Sequence, residues 1–313
     1  MKTPPSEASY SVGLLLAGLT ALSWALLAIG LKFALNFASS GSIVWFRCMV
    51  AAALLSLYFV AVKPQQLSVL RSLPWLGVLA ALGLAANYFG YMKGVELTTA
   101  SNAQIMIQMA PLAFALVGFF YFKEQPSLTQ TLGFVTAGLG FAFFYWDQLL
   151  AATLHVDQYI EGNLWLVMGA LTWTFFASAQ KVLLKRWTPQ QLNLLIFSIS
   201  TLALAPLVEW NELSQWSPWV YVLMIALGVN SLVAYVALGE AIQRIPASHV
   251  SLIIALNPLV TIGLVSWLTL SLKVTWFQAE PIAWRGFVGA GLVVLGVVLT
   301  VVGRNKTSVT AKA

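Results

Sequence analysis

Charge is what this 313-residue chain has least of: 16 Lys plus Arg and 10 Asp plus Glu, or 8% of its residues. A soluble domain carries about 25% charged residues and 45–50% apolar ones, whereas this chain is 60% hydrophobic with a mean hydropathy of +0.85. So few charges cannot coat a water-soluble globule of this size, and disorder requires the opposite composition. Cysteine is nearly absent too: Cys48 stands alone, which excludes an intramolecular disulfide, and no CxxC string or Cys/His cluster is there to hold a metal. HExxH and GxSxG strings are missing. The two histidines, His155 and His249, fall on opposite predicted membrane faces. An intramembrane enzyme would therefore lack both a metal site and an activated nucleophile, and no cofactor is expected. The net charge of +6 is spread singly between apolar runs, with no basic stripe to follow a nucleic-acid backbone. An integral membrane protein remains, with the lipid bilayer as its surroundings.

A helix needs about 20 mainly apolar residues to cross ~30 Å of hydrocarbon. Such runs are predicted at 13–34, 41–62, 73–93, 99–121 and 128–146, then at 162–183, 190–209, 217–239, 247–270 and 284–303. They are too long and too uniformly apolar for alternating barrel strands. The first 12 residues are polar and no small-residue cleavage signature follows the first run, so the first span reads as an uncleaved helix. The expected fold class is an all-α integral membrane protein with ten transmembrane helices. Placing the N-terminus inside puts 11 of the 16 basic residues in the cytoplasm: Lys2, Lys63, Arg71, Lys123, Lys181, Lys185, Arg186, Arg244, Arg304, Lys306 and Lys312. Lys32, Lys93, Lys273 and Arg285 lie outside and Arg47 within the second span, so the positive-inside rule sets both termini in the cytoplasm.

The chain also resembles itself. ALSW at 21–24 matches ALTW at 170–173, an offset of 149 that also pairs Lys32 with Lys181. Ala100-Ser101, Pro111 and Tyr88 match Ala247-Ser248, Pro258 and Tyr235 at an offset of 147. GFVTAG at 133–138 matches GFVGAG at 286–291, after a six-residue insertion before the last span. Ordered matches at nearly one offset imply a repeat: residues 1–146 form the first five-helix unit, 147–161 an acidic external linker, and 162–313 the second unit with its cytoplasmic tail. Five crossings is an odd number, so the second unit is expected to enter upside down. Inverted repeats give transporters a pseudo-two-fold axis in the membrane plane and a site at the midplane.

The segment from Tyr91 to Gly138 carries Ala100-Ser101 before the fourth span, Pro111 within it, Glu124 just after it, and Gly133 and Gly138. In this it resembles the EamA domain of the drug/metabolite transporter superfamily, and a second copy runs from Ala241 through Pro258 to Gly286 and Gly291. Arg47 sits where such proteins often carry an Arg. The second copy departs from the pattern at Ser271, which stands where Glu124 would align. The resemblance implies ten helices, residence in a bacterial inner membrane, and movement of small organic metabolites, often outward.

Candidate site residues follow from polarity and aromaticity inside the spans. Pro111 and Pro258 are expected to kink the fourth and ninth spans and to strip donors from the carbonyls of Ile107 and Ile254. Ser101, Gln104, Gln108 and Pro111 share one helical face, and the matching face of the ninth span reads Ser248, Ser251, Ala255 and Pro258. Such side chains either line a cavity or bond neighbouring helices. Asn87, Tyr88 and Tyr91 in the third span, with Asn230, Ser231 and Tyr235 in the eighth, add polar and ring surface suited to an amphipathic solute. Trp24 and Trp173 lie halfway along the first and sixth spans and are assigned to the same cavity, while Trp45, Trp75, Trp216 and Trp219 read as interfacial belt. Arg47 is expected to snorkel to the outer interface, with contact to a substrate carboxylate as the alternative, and Lys32 and Lys181 to close their own helices. Glu240 is expected to pair with Arg244 rather than titrate as a coupling group, and His249 to be a polar interface residue rather than a proton relay. No acid sits deep in any span. The expected function is secondary transport of small organic metabolites such as amino acids, as exporter or exchanger. The alternative cargo is a lipophilic drug or cation, which ought to meet a buried acid. The oligomeric state stays open, a monomer being sufficient for such a site.

Overall fold

The computed structural model describes residues 7–121, 126–151, 156–245, 247–270 and 284–310. Every regular element is helical, and no strand occurs among the described residues. The first half comprises α1 (Glu7–Ala34), α2 (Ser40–Val62), the short α3 (Ser68–Ser72), α4 (Trp75–Leu97), α5 (Ala100–Met106), α6 (Met109–Phe120) and α7 (Leu128–Ala151). The second comprises α8 (Val156–Leu183), α9 (Pro189–Leu204), the short α10 (Trp210–Gln215), α11 (Pro218–Arg244), α12 (Ala247–Ala255), α13 (Asn257–Leu270) and α14 (Trp284–Thr310).

Among the described residues nine helical stretches are long and apolar enough to cross a membrane, matching all the predicted spans except the sixth. That span is α8, which is 28 residues long but carries Asp157, Glu161 and Lys181. The chain is a multi-pass membrane protein. Helix starts follow local chemistry. The Thr188 hydroxyl accepts from the Gln191 amide and Gln191 returns the bond in a capping box, with Pro189 in the first turn where its missing N–H costs nothing.

The main core is assembled from α1, α2, α4, α8, α9 and α11, with Leu31, Ile43, Leu84, Met92, Phe176, Phe197 and Met224 all buried in it. Within it α1 packs on α11, α4 on α8 and α9, and α2 on α9 and α11, while α7 and α14 pack on one another. That last contact is backbone on backbone. A Cβ added to Gly133 would lie 2.7 Å from the Gly296 carbonyl oxygen, and one added to Gly140 would lie 2.8 Å from that of Gly289. As one residue number rises the other falls, so the two helices run antiparallel, held close by small residues as membrane helices commonly are. The repeated motif supplies Gly133 and Gly289 to this seam, whereas Gly138 and Gly291 face open space.

Polar side chains at one end of the bundle join neighbours rather than closing their own helix. Lys32 on α1 donates to the carbonyls of Val95, Glu96 and Thr98 at 2.8, 3.2 and 2.6 Å, so it caps α4 instead of α1 as expected. The reason is geometric: a side chain at the end of one helix reaches across to the carbonyls of the adjacent one. Glu212 accepts from the Ser39 amide at 2.9 Å and the Ser42 hydroxyl at 3.2 Å, placing a carboxylate at the start of α2. Gly41 is needed there, since a Cβ would sit 1.9 Å from the Leu207 carbonyl oxygen. Trp75 and Trp219 are exposed, as a belt requires, but Trp216 is 8% exposed and packs edge-on against Phe46 and Tyr221. Its indole N–H donates to Glu212 at 3.1 Å, which removes it from the belt.

Candidate functional site

The two prolines break their helices rather than bend them. Pro111 stands in the first turn of α6 and Pro258 in the first turn of α13, positions where no intrahelical donor is required. The ladder therefore ends just upstream. Ala110 donates to Ile107 at 2.9 Å, so the Ile107 carbonyl keeps a donor, contrary to the expectation. In the second half Leu259 donates to Leu256 at 3.0 Å instead of reaching back to Ala255. The Ala255 carbonyl so released accepts from Gln108 Nε2 at 3.0 Å.

Gln104 behaves alike. Its Nε2 donates to the Trp24 carbonyl at 3.0 Å, and its Oε1 receives Asn257 Nδ2 at 3.5 Å. Both glutamines are 6% exposed or less, so in this conformation they tie helices together instead of lining open space. Ser101 is buried on the same short helix. The Ser251 side chain lies outside the described residues. Asn87 and Asn230 are likewise ties: Asn87 Nδ2 donates to the Gly169 carbonyl and Asn230 Nδ2 to the Ser23 carbonyl, both at 2.9 Å.

Trp24, Tyr88, Ser231 and Tyr235 gather around a side chain that was expected to point elsewhere. Arg47 does not snorkel. It is 5% exposed, and its Nε and Nη2 donate to the Ser231 hydroxyl at 3.2 and 3.0 Å. Its guanidinium carbon lies 5.6 Å from the centre of the Tyr88 ring, within cation–π range. Both partners lie near the middle of their helices, so the guanidinium points inward from the N-terminal part of α2. The Tyr88 and Tyr235 rings meet at 6.4 Å, Tyr235 meets Trp24 at 5.8 Å, and Phe197 closes the group at 5.9 Å from Tyr235. Ser231 in turn donates to the Leu227 carbonyl at 2.8 Å, which leaves its lone pairs facing Arg47.

Trp24, Tyr91, Trp173, Asn230 and Tyr235 keep partly exposed surface although they stand within the bundle. Trp173 is not part of the ring group: its ring partner is Phe176 on the same helix, at 6.5 Å. Three features were missed by the sequence reading. Arg47 was the most legible, since a charge inside a span is a functional suspect by default. Asn257 Oδ1 and Thr261 Oγ1, buried on α13 and without a hydrogen-bond partner among the described residues, showed no signal beyond polarity. Tyr159 donates to Asn102 Oδ1 at 2.7 Å and Asn102 to Asn163 at 3.1 Å, a polar link between α5 and α8 that nothing in the spacing announced.

At the C-terminal end of α11, Glu240 pairs with Arg244 as expected and also accepts from Gln190 Nε2 at 3.2 Å. His249 Nδ1 shares a 2.7 Å hydrogen bond with the Tyr10 hydroxyl, joining α12 to α1.

The architecture and the sequence have counterparts. A solved crystal structure aligns with a TM-score of 0.63 at 19% identity, covering 95% of this chain and 98% of that one, which establishes a shared fold. An uncharacterized transporter of Haemophilus influenzae is 30% identical over 94% of this chain and 96% of its own length. The uncharacterized inner membrane transporter YhbE of Escherichia coli is 31% identical over 94% and 92%. The chain matches the EamA-like transporter family over residues 11–146 and 160–302, and with that coverage in both halves it belongs to that family of membrane transporters.

Proposed function

We propose that the protein is a secondary carrier of small organic metabolites, an exporter or exchanger, working by alternating access between two antiparallel five-helix halves. In this reading α8 is the tenth crossing, shielded by its contacts with α4 and α6. Both termini face the cytoplasm of a bacterial inner membrane, a location in keeping with the printed description of the YhbE relative.

The observation that carries the proposal is that residues related by the repeat touch one another. Tyr88 and Tyr235 share an offset of 147, and so do Gln108 and Ala255. The first pair meets ring to ring and the second shares a hydrogen bond. Residues brought together with their own repeat mates lie on the axis of a two-fold. A second relation supports it away from the axis. Asn87 on α4 donates to Gly169 on α8, and at the equivalent positions Thr20 on α1 donates to the carbonyl of Ala234 on α11, with donor and acceptor exchanged. A two-fold of this kind makes the inward-open and outward-open forms alternative versions of one arrangement.

The test is transport in proteoliposomes against a broad panel of labelled metabolites. Uptake or counterflow of at least one solute, absent from protein-free vesicles, is the expected result; no movement of any solute would refute the proposal. A lipophilic cation is the poorer cargo. The charge buried beside the central rings is itself a cation, and among the described residues no carboxylate joins it.

A further inference from the structure

Among the described residues Arg47 is a buried cation without an anion. It forms no ion pair: among the described residues the two pairs are Lys93 with Glu96 and Arg244 with Glu240, at the outer and inner ends of the bundle. Burying an unpaired charge costs several kcal/mol even after relaxation, and a neutral serine hydroxyl and the face of one tyrosine offset only part of that. A guanidinium has five N–H donors, of which Ser231 takes one from Nε and one from Nη2. Among the described residues the Nη1 group makes no hydrogen bond, so none of them occupies the terminal edge of the fork.

The position is held with care. Ser231 is fixed by its own bond to Leu227, so its oxygen can only accept from Arg47. A Cβ on Gly228, one turn earlier on α11, would lie 3.3 Å from the Arg47 carbonyl oxygen and 2.7 Å from Val50 Cβ, so the absence of a side chain there lets α11 sit close to α2. Beside the guanidinium stand three rings, Tyr88, Tyr235 and Trp24, with partly exposed surface on the last two. One fixed cation with a free planar edge, next to aromatic walls, is the chemistry that receives a single carboxylate on an apolar or aromatic body. A single charge also matches a monoanion better than a phosphate dianion.

We infer that Arg47 is the substrate-recognition residue of this carrier, and that the cargo is a small organic carboxylate whose carboxylate pairs with the guanidinium while its body rests on Trp24, Tyr88 and Tyr235. This rests on the carrier reading above and narrows it to a substrate class.

The experiment is ligand-induced thermal stabilisation of the purified full-length protein, followed by counterflow in proteoliposomes. The probes are benzoate, phenylacetate, phenylalanine and short-chain monocarboxylates, each beside its neutral amide or methyl ester, with tetraphenylphosphonium as a cation and phenylphosphonate as a dianion. At least one carboxylate should stabilise the wild type while its neutral counterpart does not. Arg47→Gln should weaken that ligand about 10- to 100-fold. Arg47→Lys should restore part of the loss, since it keeps the charge without the fork. Ser231→Ala leaves the charge in place and only frees its orientation, so it should cost several-fold and covers the case in which the Arg47 variants fail to fold. Equal binding of the carboxylate by wild type and Arg47→Gln, or stabilisation and transport confined to cations, phosphonates or neutral solutes, would overturn the inference while leaving the carrier standing. No stabilisation and no transport with any solute would instead bring down the carrier reading and this inference with it.

Discussion

Gln108 and Ala255 are joined by a 3.0 Å hydrogen bond from the side-chain amide of one to the backbone carbonyl of the other. The carbonyl is available because Pro258 restarts the helix after it, and the glutamine is available because its own helix breaks where it stands. A side chain at the break in one half thus satisfies the carbonyl freed at the break in the other. A break in a membrane helix is tolerated only when its freed backbone groups find partners inside the protein, and here the partner comes from the matching position of the other half.

Removing that donor should be felt as stability before it is felt as specificity. Gln108→Leu leaves a buried carbonyl unpaired, which costs about 1–3 kcal/mol and should lower the apparent Tm of the detergent-purified protein by about 2–6 °C. Differential scanning fluorimetry reads this directly. A Tm equal to wild type with abolished transport would instead make Gln108 a solute contact.

The antiparallel seam between α7 and α14 gives a prediction with a built-in control. Gly140→Leu and Gly289→Leu place side-chain atoms where backbone already lies 2.5–2.9 Å from an added Cβ, so both should sharply reduce the yield of folded protein. Gly138→Ala and Gly291→Ala meet nothing within 4 Å and should behave as wild type, within about 0.5 kcal/mol. Size-exclusion profiles of the four variants check it, and equal behaviour of the two sets would mean that the seam is misplaced.

The two repeat-related tryptophans should separate in function. Trp24 touches the ring group beside Arg47 through Tyr235, whereas the ring partner of Trp173 is on its own helix. Loss of one aromatic contact is worth about 0.5–1.5 kcal/mol, so Trp24→Ala should raise the half-saturating concentration of the transported solute about 2- to 10-fold. Trp173→Ala should change it less. Equal effects would place both rings against the solute, as the sequence alone expects.

Topology can be read by labelling. Cys48 is 1% exposed, so it contributes little background to a membrane-impermeant maleimide. Gln158→Cys, at the start of α8, should label in intact cells, and Gln65→Cys, between α2 and α3, only after permeabilisation. The reverse pattern would invert the molecule in the membrane.

The sequence by itself determined that the chain is a helical membrane protein, where its crossings lie, and that its halves resemble one another. These properties follow from composition, run length and internal offset, which need no knowledge of which helix touches which. Even the proline positions were legible, because a proline disrupts a helix whatever surrounds it. The pairing of Glu240 with Arg244 was legible for the same reason, being local to one turn.

What only the tertiary structure decided is where the long polar side chains point. Arg47 stands near the N-terminal end of its span, and from sequence a path to the nearer interface looks as good as a path into the bundle. The choice fell inward because α11 presents Ser231 and α4 presents Tyr88 at that level. Lys32 caps a neighbouring helix rather than its own, Gln104 and Gln108 bond backbones of other helices, and Gly133 and Gly289 of the repeated motif join Gly140 and Gly296 outside it in one seam. Each depends on contacts between elements distant in sequence. In an interior where most residues are apolar, the polar groups take whichever partner the packing brings within reach.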